Sequence, residues 1–103
     1  MTSVVNLRRE AFDIYIGRAG KDQDGYFGNP FSGGTREENI EMFEAYFHIR
    51  LAEDEEFKRR VHLLTGKKLG CFCKPKACHG DVIVAYLEQH QERTAIVADQ
   101  AHI

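Results

Sequence analysis

The chain has 103 residues, 43% hydrophobic and 29% charged, a balance that supports one globular core and leaves no length for a second. A net charge of −2 excludes the strong basic field that gathers nucleic acid non-specifically, and no apolar run approaches the roughly 18 residues of a membrane span. Three cysteines confined to Cys71–Cys78 cannot build long-range disulfides, and the opening MTSVVNLRRE lacks the apolar stretch of a leader peptide, so a cytoplasmic protein is expected.

In chain order, SVVNL at 3–7 is short and β-branched, and FDIYI at 12–16 alternates Phe12, Ile14 and Ile16 against Asp13 and Tyr15; both are expected as strands. The link Arg8-Arg9-Glu10-Ala11 suits either a tight hairpin or a short crossover. Residues 17–34 hold many of the glycines and Pro30, the mark of a long irregular loop. Thr35 followed by Glu38 forms a capping box for a helix that aligns Ile40, Phe43, Phe47 and Leu51. A second helical stretch begins near Asp54 with Phe57, Val61 and Leu64 on one face and Gly66 as its C-terminal cap, making a helical hairpin or one bent helix.

KKLGCFC at 67–73 is expected as a third strand, with Leu69, Cys71 and Cys73 on one face because side chains alternate with period two. A turn through Lys74-Pro75-Lys76-Ala77 leads to a last helix from about Cys78, carrying Val82, Ile83, Tyr86 and Leu87. Residues 1–90 are thus expected as a single α/β domain. Residues 91–103 are expected as a tail, either a short strand at TAIVA with polar flanks or disordered.

The spacing C-x-C-x4-C-H gathers Cys71, Cys73, Cys78 and His79 at a strand-to-helix junction. As Cys3His the set can hold zinc, with sulfur at about 2.3 Å and imidazole nitrogen at about 2.0 Å, although structural zinc sites usually draw ligands from two separate segments. A second reading uses the helix start, where unpaired N–H groups and the helix dipole lower a thiol's pKa and attract a phosphate or carboxylate, with Lys74 and Lys76 adding charge. Against both stands the commonest state of an intracellular cysteine, a small buried hydrophobe. The polar neighbours in the same turn weigh against that third reading.

Arg8 and Arg9 close the first strand and Arg18 follows the second, each suited to clamp an anion or to sit as a solvated surface cation. In the loop GYFGNPF, Tyr26 and Phe27 can stack on a nucleobase and Asn29 can read a polar edge, while Phe31 suits the core. Asp81 complements the dipole of the last helix or orients His79. The acidic run near residue 54 reads as a solvated face.

The motifs VVNLRR, YIGR, GNPF and LGCFCKPKACHGDV, in this order over residues 4–87, resemble a family of small domains of unknown function from phages and bacteria. The resemblance implies an α/β fold: a small Rossmann-like three-layer domain with a short, mostly parallel sheet and about three helices. It implies little about activity.

The first functional expectation is binding of a small anionic, nucleotide-like ligand, with hydrolysis or transfer as its extension. Arg8, Arg9, Arg18, Tyr26, Asn29, Lys74 and Lys76 would bind, and Cys73, Cys78, His79 and Asp81 would act as nucleophile and proton carriers. The alternative is a non-catalytic interaction module stabilised by zinc on Cys71, Cys73, Cys78 and His79, docking through its acidic helical face; thiol redox work by Cys73 and Cys78 is a third reading. Whether the protein is an enzyme stays open at this stage. No membrane partner is expected, nucleic acid is not expected as a non-specific partner, and a homo-oligomer is allowed.

Overall fold

A computed structural model describes residues 2–18, 20, 23 and 25–101, with 91–101 as helix backbone only. Three strands, β1 (Ser3–Asn6), β2 (Ile14–Tyr15) and β3 (Lys68–Cys71), and three helices, α1 (Arg36–Glu53), α2 (Glu55–His62) and α3 (Gly80–Ala101), make a small α/β fold. The sheet is all-parallel with order β1-β3-β2, so the last strand in sequence lies between the first two. The link between β1 and β2 is therefore a crossover. It needs only residues 7–13, fewer than the dozen or more of an ordinary parallel connection, because it crosses by a turn at residues 7–10 and irregular chain with no helix.

Register explains what each face does. Val4, Leu69 and Ile14 are partners across the sheet, as are Asn6 and Cys71, and period-two alternation puts all of them with Ile16 on one face. Ile16, Leu69 and Cys71 join Phe43 and Phe47 of α1, Phe57 and Val61 of α2, and Ile83 and Leu87 of α3 in one buried cluster. The opposite face presents Val5, Gly70 and Tyr15, and Phe12 of the crossover lies on Gly70. A Cβ there would stand 2.7 Å from Phe12 Cγ. Glycine at 70 thus lets the crossing chain, rather than a helix, cover this side of the sheet.

Local signals account for the helix boundaries. Thr35 and Glu38 form the reciprocal capping box of α1. Asp54 ends α1 by donating its N–H to Arg50 O (2.8 Å) and starts α2 by accepting from Phe57 N–H (3.0 Å), which resolves the helical pair as two elements sharing one cap. Gly66, expected as a helix cap, comes after an extra turn; at φ +80 it reverses the chain into β3 and donates its N–H to Thr2 Oγ1. α3 continues through TAIVA as helix, where a strand had been expected, and residues 102 and 103 lie outside the described residues. Among the described residues, no helix is long and apolar enough to cross a membrane.

Candidate functional site: a sulfur-lined cleft at the end of the central strand

Cys71 is the last residue of the central strand, and the chain then turns through residues 72–79 into α3. This is the carboxyl end of a parallel sheet, the edge at which open α/β folds present ligand-binding groups. The turn is held from several elements. Asn6 Nδ2, at the end of β1, donates to Lys74 O at 2.7 Å; Arg36, at the start of α1, donates to Ala77 O at 3.1 Å; and Lys76 N–H bonds back to Cys73 O at 2.8 Å. Lys74 Nζ meets Asp81 Oδ1 at 2.6 Å, while Asp81 Oδ2 accepts from Cys78 N–H at 3.1 Å.

The three cysteines converge. Their sulfurs all lie within 4.8 Å of one another, with Cys71 and Cys78 buried and Cys73 half-buried. Cys78 donates its S–H to Cys71 Sγ across 3.2 Å. That bond, with the N–H groups of Cys73 and Lys74 and the Lys74 charge, outweighs burial and brings the Cys71 pKa down to about 6. The same bond and burial push the Cys78 thiol up. The hydrogen bond thus favours the anionic form at Cys71 and the neutral form at Cys78. Cys73 or Cys78 was expected as nucleophile or acid; the hydrogen bond lowers the pKa of their neighbour Cys71, expected as a metal ligand.

His79 does not complete the sulfur group. Its Nε2 lies 2.7 Å from Ile16 O, and because a carbonyl only accepts, that nitrogen carries the proton. The ring packs edge-on against Phe43 at 5.0 Å, and Nδ1 lies 3.5 Å from Cys78 Sγ. Burial holds the His79 pKa below its ordinary value. Among the described residues, the side chains able to share a metal are the three cysteines, so the expected four-ligand set reduces to three. Nor do His79 and Asp81 form a proton-carrying pair by hydrogen bond, since the Asp81 oxygens are taken by Lys74 and Cys78.

The sulfurs open into a cleft of about 830 Å³. Its walls include Phe12, Tyr15, Arg18, Asn29, Arg36, Asn39, Phe72 and His79. Arg18 donates to the carbonyls of Asn29 and Phe31, which fixes its guanidinium against the GNPF segment. Gly28 permits that segment to lie on Gly17, whose carbonyl oxygen would be 2.6 Å from a Cβ at position 28.

Of the residues expected to bind ligand, Arg18 and Asn29 line the cleft, and the others do not. The Asn29 amide is committed internally: Nδ2 donates to Asn39 O and Oδ1 accepts from Phe31 N–H, so it shapes the wall instead of reading a ligand. Tyr26 packs against Phe27 and Phe57 beneath the guanidiniums of Arg50 and Arg60, and belongs to a neighbouring depression. Arg8 lies over the Phe72 ring, Arg9 and Lys76 are exposed outside the cleft, and Lys74 is paired with Asp81. Arg36, Tyr15 and Phe72 were missed as wall residues. Arg36 sits inside the capping signal and reads there as an ordinary first-turn residue, and the other two read only as strand.

These features define a class: a small α/β domain with a cysteine-lined cleft at the carboxyl edge of a parallel sheet. The chain belongs to the family described as Domain of unknown function (DUF4326), whose model matches residues 4–89. It is similar to the uncharacterized 12.4 kDa protein in the nrdA-td intergenic region of Enterobacteria phage T4, with 42% identity over 80 residues that cover 78% of this chain and 71% of the phage protein. No solved structure matches.

Proposed function

We propose that the cleft binds a small anionic ligand of nucleotide type. The observation that carries this reading is the character of the wall: Arg18 and Arg36, with no carboxylate among the described lining residues, beside the rings of Phe12 and Tyr15. Both arginines donate to backbone carbonyls, and neither is among the ion pairs found in the described residues. Their charge is thus left for an anion, which a guanidinium fork grips through two parallel bonds. Aromatic walls supply area for a planar base, and the cleft is within the range of small-molecule sites. For hydrolysis or transfer, the reactive group at the cleft floor is the Cys71 thiolate.

Thermal unfolding tests binding with adenosine monophosphate, adenosine and inorganic phosphate as separate ligands. A ligand at a hundred times its Kd adds about 2.7 kcal/mol, roughly 11–15 °C in Tm for a chain of this size. The monophosphate should raise Tm, and Arg18→Gln and Arg36→Gln should each reduce the rise. No shift with any nucleotide at millimolar concentration sinks the reading.

The convergence of three sulfurs favours a second reading, in which Cys71, Cys73 and Cys78 hold a metal ion, zinc by the softness of thiolate ligands. Three protein ligands leave a fourth position, and all three cysteines border the cleft. Bound zinc would supply a Lewis acid there; this chain's part is to present the sulfurs, with Asn6 and Arg36 fixing the turn that carries them. Metal analysis of purified protein, with cobalt titration followed by thiolate-to-metal absorption, tests this. One metal per chain, lost in Cys71→Ser and Cys78→Ser, is expected; protein that neither contains zinc nor develops the cobalt band excludes it.

A further inference from the structure

Phe72 is 52% exposed and Phe12 is 41% exposed, and both border the cleft. Phe72 stands at the rim. Its ring meets Tyr15 edge-on, with centroids 6.4 Å apart, and the Arg8 guanidinium lies 5.0 Å from its centroid. Arg8 does not line the cleft, and the ion pairs of the described residues do not include it. The rim thus joins exposed aromatic area to a cation without a carboxylate, directly outside a cleft whose own cations are Arg18 and Arg36.

A free mononucleotide has one base and one phosphate group, and the cleft accommodates both. At the rim, Phe72 and Arg8 offer a further ring and a further cation beside Phe12, Tyr15, Arg18 and Arg36. We propose that the ligand is a nucleotide within a short single strand of nucleic acid: one nucleotide occupies the cleft, the base of its neighbour stacks on Phe72, and the linking phosphate meets Arg8. This rests on the cleft reading above. Stacking on aromatic rings does not depend on sequence, and guanidinium planes both stack and hold phosphate. The overall charge of −2 argues against a long contact with an extended strand or a duplex and favours the few nucleotides at the rim.

The test compares thymidine 5′-monophosphate with pTpT, uridine 5′-monophosphate with pUpU, and both dinucleotides with a ten-base-pair duplex, by calorimetry at fixed salt. A stacked base is expected to tighten at least one dinucleotide about fivefold or more over its own mononucleotide. The form that gains more, deoxyribo or ribo, identifies the strand. Arg8→Gln should abolish that gain and leave mononucleotide affinity within twofold; Phe72→Ala should weaken the dinucleotide more than the mononucleotide. The duplex should bind more weakly than the preferred dinucleotide. If mononucleotides bind and neither dinucleotide binds more tightly, or if Arg8→Gln leaves the gain intact, the inference fails while the cleft reading stands. If neither mononucleotides nor dinucleotides bind, the cleft reading itself fails.

Discussion

Gly80 is where α3 meets the sheet, and it offers a direct test of how closely the site is packed. A Cβ at this position would stand 2.6 Å from Ile16 Cδ1 and 2.9 and 3.3 Å from the Val4 Cγ atoms. Two effects oppose each other in Gly80→Ala. Alanine favours helix over glycine by up to about 1 kcal/mol. Forcing a methyl into a filled core costs about 1–3 kcal/mol. Ile16 is 0% exposed, so its Cδ1 has no open space to turn into, and overpacking should win. We expect a net loss of about 1–2 kcal/mol, on the order of 5–10 °C in Tm. Ile16→Val removes the clashing atom and alone costs about 1 kcal/mol. In the Gly80→Ala background the same truncation relieves the clash, so the double variant should be no less stable than Gly80→Ala. Urea unfolding of the four proteins completes the cycle. A Gly80→Ala variant at least as stable as the parent, or single costs that simply add, refutes the packing argument.

Thr35→Ala removes one half of the α1 capping box and should cost about 1 kcal/mol in urea unfolding, with the midpoint shifted and the slope unchanged. Asn6→Ala strips the Lys74 carbonyl and the Arg8 N–H of their partner; about 1–2 kcal/mol should be lost, with faster amide exchange through residues 73–78. Thiolate ultraviolet absorption should show Cys71 titrating with an apparent pKa of about 6, and Cys78→Ala should raise it; a midpoint at the ordinary thiol value contradicts the Cys78-to-Cys71 hydrogen bond as the cause. Burial depresses the His79 pKa, so the folded protein binds fewer protons there than the unfolded chain does. The resulting stability is whole above the ordinary histidine pKa and declines as pH falls below it, by at most about 1.4 kcal/mol per pH unit for one proton. The His79 ring protons in NMR spectra should accordingly not titrate near that ordinary value.

Local chemistry made much of this protein legible from its sequence. The strand at β3, the capping box at Thr35 and the alternation that aims Leu69 and Cys71 inward each depend on residues a few positions apart. The meeting of the cysteines was legible for the same reason, since one turn joins them. What pairs the turn with its surroundings was not. Asn6 reaches Lys74 and Arg36 reaches Ala77 across long stretches of chain, and neither residue type announces its partner. His79 misled by adjacency. Next to Cys78 in sequence it reads as a fourth ligand, yet the direction of its ring is set by the carbonyl of Ile16, which only the tertiary fold brings near. Tyr26 misled by composition, because an aromatic in a glycine-rich loop reads as a ligand platform until Arg50 and Phe57 are found against it. Among the cations the reverse happened: the conspicuous Arg9 and Lys76 stayed outside the cleft, and Arg36 entered it.

The strand order also bears on how the chain assembles. Ser3 and Ile14 find their partners only at Lys68 and Leu69, so neither early strand has a neighbour until β3 exists. Closing such distant pairs is entropically costly and slow, whereas the α1–α2 contacts are local. During synthesis the helical pair can dock first, with the N-terminal segment waiting beside it as unpaired chain. Insertion of a single four-residue strand then completes the sheet and, in the same motion, forms the cleft, since Cys71 ends that strand. A chain cut short before residue 68 would thus lack the sheet and the cysteine-lined cleft together, and cooperative folding and the candidate site would stand or fall on the same late segment.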